Sequence, residues 1–174
     1  FGIKKVMEQQ AVTSGIIGAV ADIIKVEEKY ETAIETALGG SIQNIVTDTQ
    51  KTAKKMIEYL KKNRYGRVTF LPLDAVKGKE FARKEILLEP GVIGAANQLV
   101  IYDEVYKDLF ASLLGQILVV KDMDAGIKIA NKYHHSVRIV TLDGDSLNRG
   151  GAMSGGAFKN KSNLLGRSRE VEEL

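Results

Sequence analysis

An internal repeat constrains the fold of this chain more than any other feature of its sequence. Residues 15–39 align with residues 91–115 without a gap, at an offset of 76, and eight of the 25 aligned positions are identical. The offset falls to 74 and then to 69 further along, where residues 68–74 face residues 137–143 in the same order. Because a solenoid needs at least three repeats, two copies indicate a duplicated unit.

Each copy shows the same predicted order of elements. An apolar stretch precedes a helix that ends at Gly39 or Gly115, where we expect a left-handed cap. A short strand and a second helix follow, with Asp48 or Asp122 as the predicted N-cap, and a last strand closes the copy. The predicted apolar face of the second helix is Ala53, Met56, Ile57 and Leu60 in copy one, and Ile127, Ala130 and Tyr133 in copy two. Alternating strands and helices predict an α/β (α+β) fold of two similar subdomains, each a mixed sheet with packed helices.

The repeat also predicts the domain boundaries. We expect a first subdomain over residues 1–74, a linker over 75–90, a second subdomain over 91–166 and the start of a helix over 167–174. The linker has charges of both signs and ends at Pro90, so we interpret it as solvated, with one helical turn. Ser168 is a plausible N-cap, and Val171 and Leu174 have helical spacing, which indicates a longer helix cut short; the alternative is a frayed tail.

The composition excludes several kinds of protein. The 174 residues are 44% hydrophobic, which supports a sizeable core, and no apolar run is long enough to span a bilayer. Without cysteine the chain has no thiol nucleophile, disulfide or cysteine zinc site, and it fits the reducing cytosol. The net charge of +3 permits contact with nucleic acid but does not by itself indicate it.

The second copy ends in a glycine-rich segment that the first copy lacks. Four glycines fall between Gly150 and Gly156, and three interpretations stay open. A phosphate-binding loop would use glycine to bring backbone N–H groups to an anion, but no P-loop or dinucleotide spacing is present. A strand–turn–strand would use it where two backbones meet and could add to the sheet of a second chain. The third interpretation is a flexible loop.

The remaining candidate residues predict no catalytic or metal site. His134 and His135 are adjacent, point in different directions and best fit a surface turn. Positive charges cluster on the predicted helix after Asp48, which we interpret as a solvated face. A second basic group is the candidate for sequence-independent contact with DNA phosphates; it consists of Lys159, Lys161, Arg167 and Arg169, and we expect Lys4 and Lys5 to lie near it.

Several segments resemble the hinge domain of structural maintenance of chromosomes (SMC) proteins, most closely the bacterial ones. The resemblance extends over essentially the whole chain, in the family order, with mild departures at Arg149, Ala152 and Ser154. The matching segments are residues 30–40, 66–74, 137–145, 148–156 and 164–170.

The resemblance implies a non-enzymatic homodimerisation domain that joins two coiled-coil arms. The ATP-binding heads of the family, which act in chromosome condensation and segregation, lie in other parts of the parent chain. We therefore expect a homodimer that binds DNA near the junction with the arms, in the cytoplasm at the nucleoid, without cofactor, small-molecule substrate or membrane. The alternative is a small enzyme that binds a phosphate ligand. The expected dimer contact is Gly144, Asn148, Gly150, Gly151, Met153, Ser154, Gly155 and Gly156.

Overall fold

The computed structural model describes residues 1–156 and Leu165, and it contains helices and strands in alternation. The α-helices of the described residues are α1 (Gly2–Glu8), α2 (Glu31–Leu38), α3 (Gln50–Asn63), α4 (Lys84–Leu87), α5 (Lys107–Leu114) and α6 (Met123–Lys132). The strands are β1 (Ile16–Ala19), β2 (Lys25–Val26), β3 (Ile45–Thr47), β4 (Phe70–Pro72), β5 (Val92–Ala95), β6 (Val100–Ile101), β7 (Ile117–Val120), β8 (Arg138–Thr141), β9 (Ser146–Leu147) and β10 (Met153–Ser154). The predicted α+β class is confirmed.

The structure repeats as the sequence does. The first half forms a sheet in the order β1-β3-β4, and the second half forms β5-β7-β8, which β9 and β10 extend to five strands. In the first half β1 pairs antiparallel with β3, and in the second half β5 pairs antiparallel with β7. Both β1 and β5 carry a bulge before a glycine, Gly18 or Gly94. In both halves a helix, α3 or α6, joins two adjacent parallel strands. The hairpin of β9 and β10 is therefore an addition to a common unit.

Three hydrophobic clusters show how the halves are joined. One cluster belongs to the first half and lies between α3 and its sheet, around Ile45 and Met56. A second belongs to the second half and lies under α6. The largest cluster contains residues of both halves, among them Ile34 of α2 and Phe110 of α5, both fully buried. Leu165 is also buried in this largest cluster. Each half thus has a hydrophobic core of its own, and the two halves share a third.

A short ribbon marks an approximate two-fold relation between the halves. Strands β2 and β6 pair antiparallel, with Lys25 opposite Ile101. These residues are 76 positions apart, which is the offset of the repeat, so at this point the chain pairs with its own counterpart. Helix α2 of the first half packs on β8 of the second, where the Arg138 guanidinium donates to the carbonyls of Ala37 (3.1 Å) and Thr36 (3.2 Å).

Three of the four predicted helix ends are wrong in detail. Thr49, not Asp48, is the N-cap of α3, because its hydroxyl accepts from the N–H of Thr52 at 3.2 Å. The predicted cap at Asp122 is confirmed, since its carboxylate accepts from the Ala125 N–H at 2.9 Å. Gly39 has a positive φ of 54°, but its ψ of −135° lies outside the left-handed helical region expected for the cap, and Gly115 is right-handed, with φ −64°.

The linker is less solvated than its charges suggested. The expected helical turn is present as α4, but Phe81 and Ile86 are buried in the second-half cluster. A Cβ atom on Gly78 would lie 2.1 Å from the Ser112 backbone nitrogen, so this segment passes directly over α5. The mixed charges thus lie on the outer side of a packed segment.

Two residues predicted in helix cores are instead exposed. Ile57 of α3 and Ile127 of α6 are 40% and 38% exposed, while Ile129 takes the buried position expected for Ile127. Ile57 and Ile127 each line a surface groove, so the apolar stripe of each helix is wider than the core that it covers.

Candidate subunit interface

The two larger sheets have four edges, and the structure covers only two of them within the described part of the chain. At the β1 edge the Gln10 side-chain amide donates to the carbonyls of Ile16 (3.2 Å) and Ile17 (3.0 Å). Helix α4 packs against β5 at the corresponding edge of the second half. The other two edges, β4 and β10, are last in their sheets. Unpaired strand edges can bind another strand, so these two are the candidate interface.

The open edge of β10 presents the backbone of Met153. Met153 lies opposite Leu147 in an antiparallel pair, and the Asn148 N–H donates to the Ala152 carbonyl at 2.8 Å. Because hydrogen-bonded and non-hydrogen-bonded pairs alternate, Ala152 and Ser154 bond to β9 and the Met153 N–H and carbonyl point outward. The side chain of Met153 is 54% exposed.

The open edge of β4 presents the backbone of Phe70 and the carbonyl of Pro72. Thr69 accepts from the Ile45 N–H at 3.0 Å, and the Leu73 N–H donates to the Thr47 carbonyl at 2.9 Å. Residues 69, 71 and 73 therefore bond to β3, and residues 70 and 72 face outward. Proline in a strand is confined to edges, because it has no N–H to donate. Pro72 is thus a sequence signal for this edge.

An apolar groove lies beside each open edge. The groove at β4, about 380 Å³, lies between the strand and α3, with Ile57, Phe70 and Pro72 as its apolar wall. The groove at β10, about 130 Å³, lies between the hairpin and α6, with Ile127, Leu147 and Met153 as its wall. Each edge thus offers backbone hydrogen-bonding groups next to apolar side chains.

The glycines of the hairpin meet different surroundings. A Cβ on Gly155 would lie 2.4 Å from Asp145 Oδ1, and Asp145 is fixed by Thr141, whose hydroxyl accepts from the Asp145 N–H at 3.0 Å. Gly150 and Gly156 have positive φ, 86° and 130°, and nothing within 4 Å of a Cβ. Gly155 is therefore required by a contact inside the chain, whereas Gly150 and Gly156 border open space.

The predicted contact residues are mostly brought together on this hairpin. Gly150, Gly151, Met153, Ser154, Gly155 and Gly156 are exposed on it, and the strand–turn–strand interpretation of the segment is confirmed. Asn148 is half-buried and closes the turn, because its carbonyl accepts from the Gly151 N–H. Gly144 is buried, and its carbonyl accepts from the Thr36 hydroxyl at 3.3 Å, so we correct its assignment from contact residue to link between the halves.

Of the six candidate DNA-binding residues, the structure describes two, Lys4 and Lys5. Lys159, Lys161, Arg167 and Arg169 lie outside the described residues, as does the expected outgoing helix. Lys4 and Lys5 lie on α1, which packs against α3. The Lys5 ammonium is 4.9 Å from the ring centroid of Tyr65. Tyr65 follows the last turn of α3, which contains Lys61 and Lys62. Lysines of α1 and of the end of α3 thus lie on two helices that pack together, although they are far apart in sequence.

His134 and His135 form a turn, as predicted. Both are exposed and have positive φ (59° and 55°), and the His135 carbonyl accepts from the Gly150 N–H at 3.0 Å. Across residues 1–156 and Leu165, no group of three or more His, Asp or Glu is arranged to hold a metal ion. Over the same residues, none of the helices combines the length and apolarity needed to cross a membrane.

Comparison with protein families gives a match over most of the chain. The family model described as "SMC proteins Flexible Hinge Domain" matches residues 13–130. Two chromosome partition proteins Smc, from Desulfitobacterium hafniense and Bacillus subtilis, are 45% and 44% identical to the chain over 99% of its length. The chain spans about 15% of the length of these relatives.

Comparison with solved structures gives the same fold. The hinge domain of Geobacillus stearothermophilus SMC, described as an asymmetric dimer, superposes with a TM-score of 0.91 at 44% identity, covering 99% of this chain and 70% of that one. The Pyrococcus furiosus hinge domain with an extended coiled coil gives 0.76 at 31% identity, covering 98% and 62%.

Proposed function

This chain belongs to the SMC flexible hinge domain family, and we propose from that premise that it is the homodimerisation hinge of a chromosome partition protein. A hinge domain is a structural, non-catalytic segment, so the rival hypothesis of a small phosphate-binding enzyme loses its support. The single observation that carries the proposal is that β4 and β10 are open edges of the two larger sheets in the described part of the chain.

The two open edges explain how a dimer closes. Each chain carries one edge of each kind, so β10 of one chain can meet β4 of the other at two equivalent places around a two-fold axis. Two such contacts use both open edges on both chains and leave neither for a third chain. The apolar grooves beside the edges are covered at the same time, which adds hydrophobic burial to the backbone hydrogen bonds.

The test removes the outward hydrogen-bond donor of β10 without touching its pairing with β9. In Met153→Pro the outward N–H is lost, while Ala152 and Ser154 keep their bonds to β9. We expect a monomer by light scattering, with unchanged far-UV circular dichroism. Met153→Ala is the matched control, since it shortens the side chain but keeps the N–H and is expected to weaken the dimer less. A dimer as tight as the wild type for Met153→Pro would contradict the proposal.

We also propose sequence-independent DNA binding at the start of α1 and the end of α3. Support comes from the lysines carried by α1 and by the last turn of α3, two helices that pack together, and the predicted residues Lys159, Lys161, Arg167 and Arg169 would add to this positive charge. Each phosphate contact that is lost should reduce the slope of log affinity against log salt by about 0.9.

The DNA test compares cations on this surface with cations elsewhere. Lys159→Glu with Lys161→Glu, and separately Lys4→Glu, are expected to weaken duplex binding and flatten its salt dependence. Lys128→Glu on α6 is the control, with the same charge change as Lys4→Glu and half that of the double variant. If the control variant lost as much affinity as the others, the binding would follow net charge and not this surface.

The parent protein is the context for both proposals. Its relatives are named chromosome partition proteins, and we infer that this chain joins coiled-coil arms that end in ATP-binding heads. A location at the nucleoid in the cytoplasm follows from that role. ATP should bind to the heads alone, so ATP is expected to leave the melting temperature of this segment unchanged.

A further inference from the structure

We propose that His135 makes the dimer sensitive to pH: the subunits associate with this imidazole neutral, and its protonation weakens their association. The inference rests on the proposed homodimerisation and adds to it a group that regulates the contact. The chain has two histidines, and they are neighbours, so His134 provides a matched comparison for the effect.

His135 belongs to the wall of the groove beside β10. It follows α6, and the groove lies between that helix and the hairpin. The ring of His135 lies against the hairpin turn, since a Cβ on Gly151 would be 4.0 Å from its Nδ1. Among the residues that the structure describes, His134 is not part of this wall. One imidazole of the two, exposed in the single chain, thus lies on the surface that a second chain would cover.

The backbone around His135 fixes its position beside the hairpin. Its N–H donates to the Ala130 carbonyl at 2.7 Å, and its carbonyl accepts from the Gly150 N–H at 3.0 Å. The second of these bonds ties the turn after α6 to the hairpin. Both bonds join main-chain atoms, so the charge of the ring does not alter them. Protonation therefore acts on the groove, and the hairpin keeps its hydrogen bonds.

No charged side chain lines this groove within the described part of the chain. At the end of α6, Lys132 and Tyr133 both donate to Glu89, at 2.6 and 2.7 Å. In the hairpin, Arg149 is positive, and the Asp145 carboxylate accepts from a hydroxyl of β8 at 3.3 Å. An imidazolium in the groove thus has no carboxylate of its own chain to pair with.

The groove that the partner brings adds positive charge. In each chain the groove beside β4 is lined by Lys54, Glu58 and Lys61. The Lys54 ammonium is 3.9 Å from the Glu58 carboxylate, whereas Lys61 takes part in no ion pair among the described residues. When the two open edges meet, protonated His135 would therefore approach a surface with a surplus of positive charge. Like charges disfavour each other, most strongly where water is excluded.

The direction of the pH effect follows from the cost of burying a charge. Covering the groove removes water from the ring, and burial disfavours the charged form of an imidazole. Imidazole is also the side chain that ordinarily changes charge between pH 5 and 8. A protonated chain must release its proton to associate, so the dimer is tightest at high pH and weakens as the pH falls. With two contacts per dimer, the dissociation constant can change by at most about 100-fold per pH unit.

Sedimentation at a series of pH values tests the proposal. From pH 8 to pH 5 the dissociation constant of the wild type should rise by at least about tenfold. His135→Asn removes the titrating ring and suits the turn, where φ is 55°, because asparagine tolerates positive φ. Its dissociation constant should change by less than about twofold over this range. His134→Asn, at a φ of 59°, is the matched control and should respond to pH as the wild type does.

The outcomes separate this inference from the function on which it rests. A wild-type dimer of constant affinity from pH 8 to pH 5, or a His135→Asn dimer that weakens as the wild type does, would overturn the role of His135. Loss of the pH response in His134→Asn would overturn it as well. His135→Gln is the second neutral variant, to be used if His135→Asn does not associate at pH 8, and circular dichroism checks that each protein stays folded. A wild type that is monomeric at pH 8 would refute the proposed homodimerisation instead.

Discussion

The shared cluster predicts that the two halves of the hinge unfold as one unit. Phe110 is the residue with which to test this, because its side chain is fully buried among residues of both halves and its ring lies 4.7 Å from that of Tyr102. Replacing a buried phenylalanine by alanine costs about 3–5 kcal/mol, through lost burial and the cavity left behind. For a chain of this size the melting temperature should fall by about 2–4 °C per kcal/mol, hence by about 6–20 °C.

Hydrogen exchange distinguishes one unit from two. If the shared cluster couples the halves, Phe110→Ala should lower the protection of β3 in the first half as much as that of β7 in the second. Calorimetry should still show one transition. Phe110→Leu, which leaves a smaller cavity, should produce the same pattern with a smaller loss. Protection lost in β7 but kept in β3 would refute the reasoning, since the halves would then be stabilised separately.

Two further predictions concern single contacts. Hydrogen bonds, the largest from the Thr52 hydroxyl, lower the pKa of Asp48, so its contribution to stability is present above the aspartate range and lost as the pH falls through its lowered pKa. Thr52→Val should make acid unfolding begin at a higher pH, and an unchanged acid transition would contradict this origin. Gly155→Ala should weaken the dimer, because its Cβ would contact the Asp145 carboxylate, whereas Gly40→Ala meets nothing within 4 Å and should leave dimerisation unchanged. Sedimentation of both variants measures the difference, and equal dissociation constants would refute the claim.

The repeat made the order of elements predictable, but not the local choices at helix ends. Asp48 and Thr49 are both good cap residues, and the sequence gives no reason to prefer either. In the structure Thr49 caps the helix while Asp48 binds the Thr52 hydroxyl, so the choice depends on where the preceding strand ends. At Gly115 the sequence suggested a left-handed cap, but glycine is needed because a Cβ would lie 2.4 Å from the carbonyls of Ala111 and Lys79.

The candidate interface was half predictable. Glycines clustered at the end of the second copy indicated a hairpin with an open edge, and β9 and β10 form one. The complementary edge was missed: Pro72 signals that β4 is an edge strand, but only the sheet order shows which edge it forms. Ile57 and Ile127 were missed for a related reason, since periodicity shows which face of a helix is apolar but not how much of it the core covers.

The pairing of Lys25 with Ile101 has a consequence for the history of the chain. In a dimer of identical units, a residue on the two-fold axis pairs with the same residue of the other unit. A substitution there therefore changes both residues of the contact at once. Once two units are fused in one gene, each position can change alone. The ribbon of β2 and β6 shows the result, a lysine facing an isoleucine where identical units would have placed two identical residues. Only the second unit carries the β9–β10 hairpin among the described residues, and that asymmetry gives each chain two different open edges.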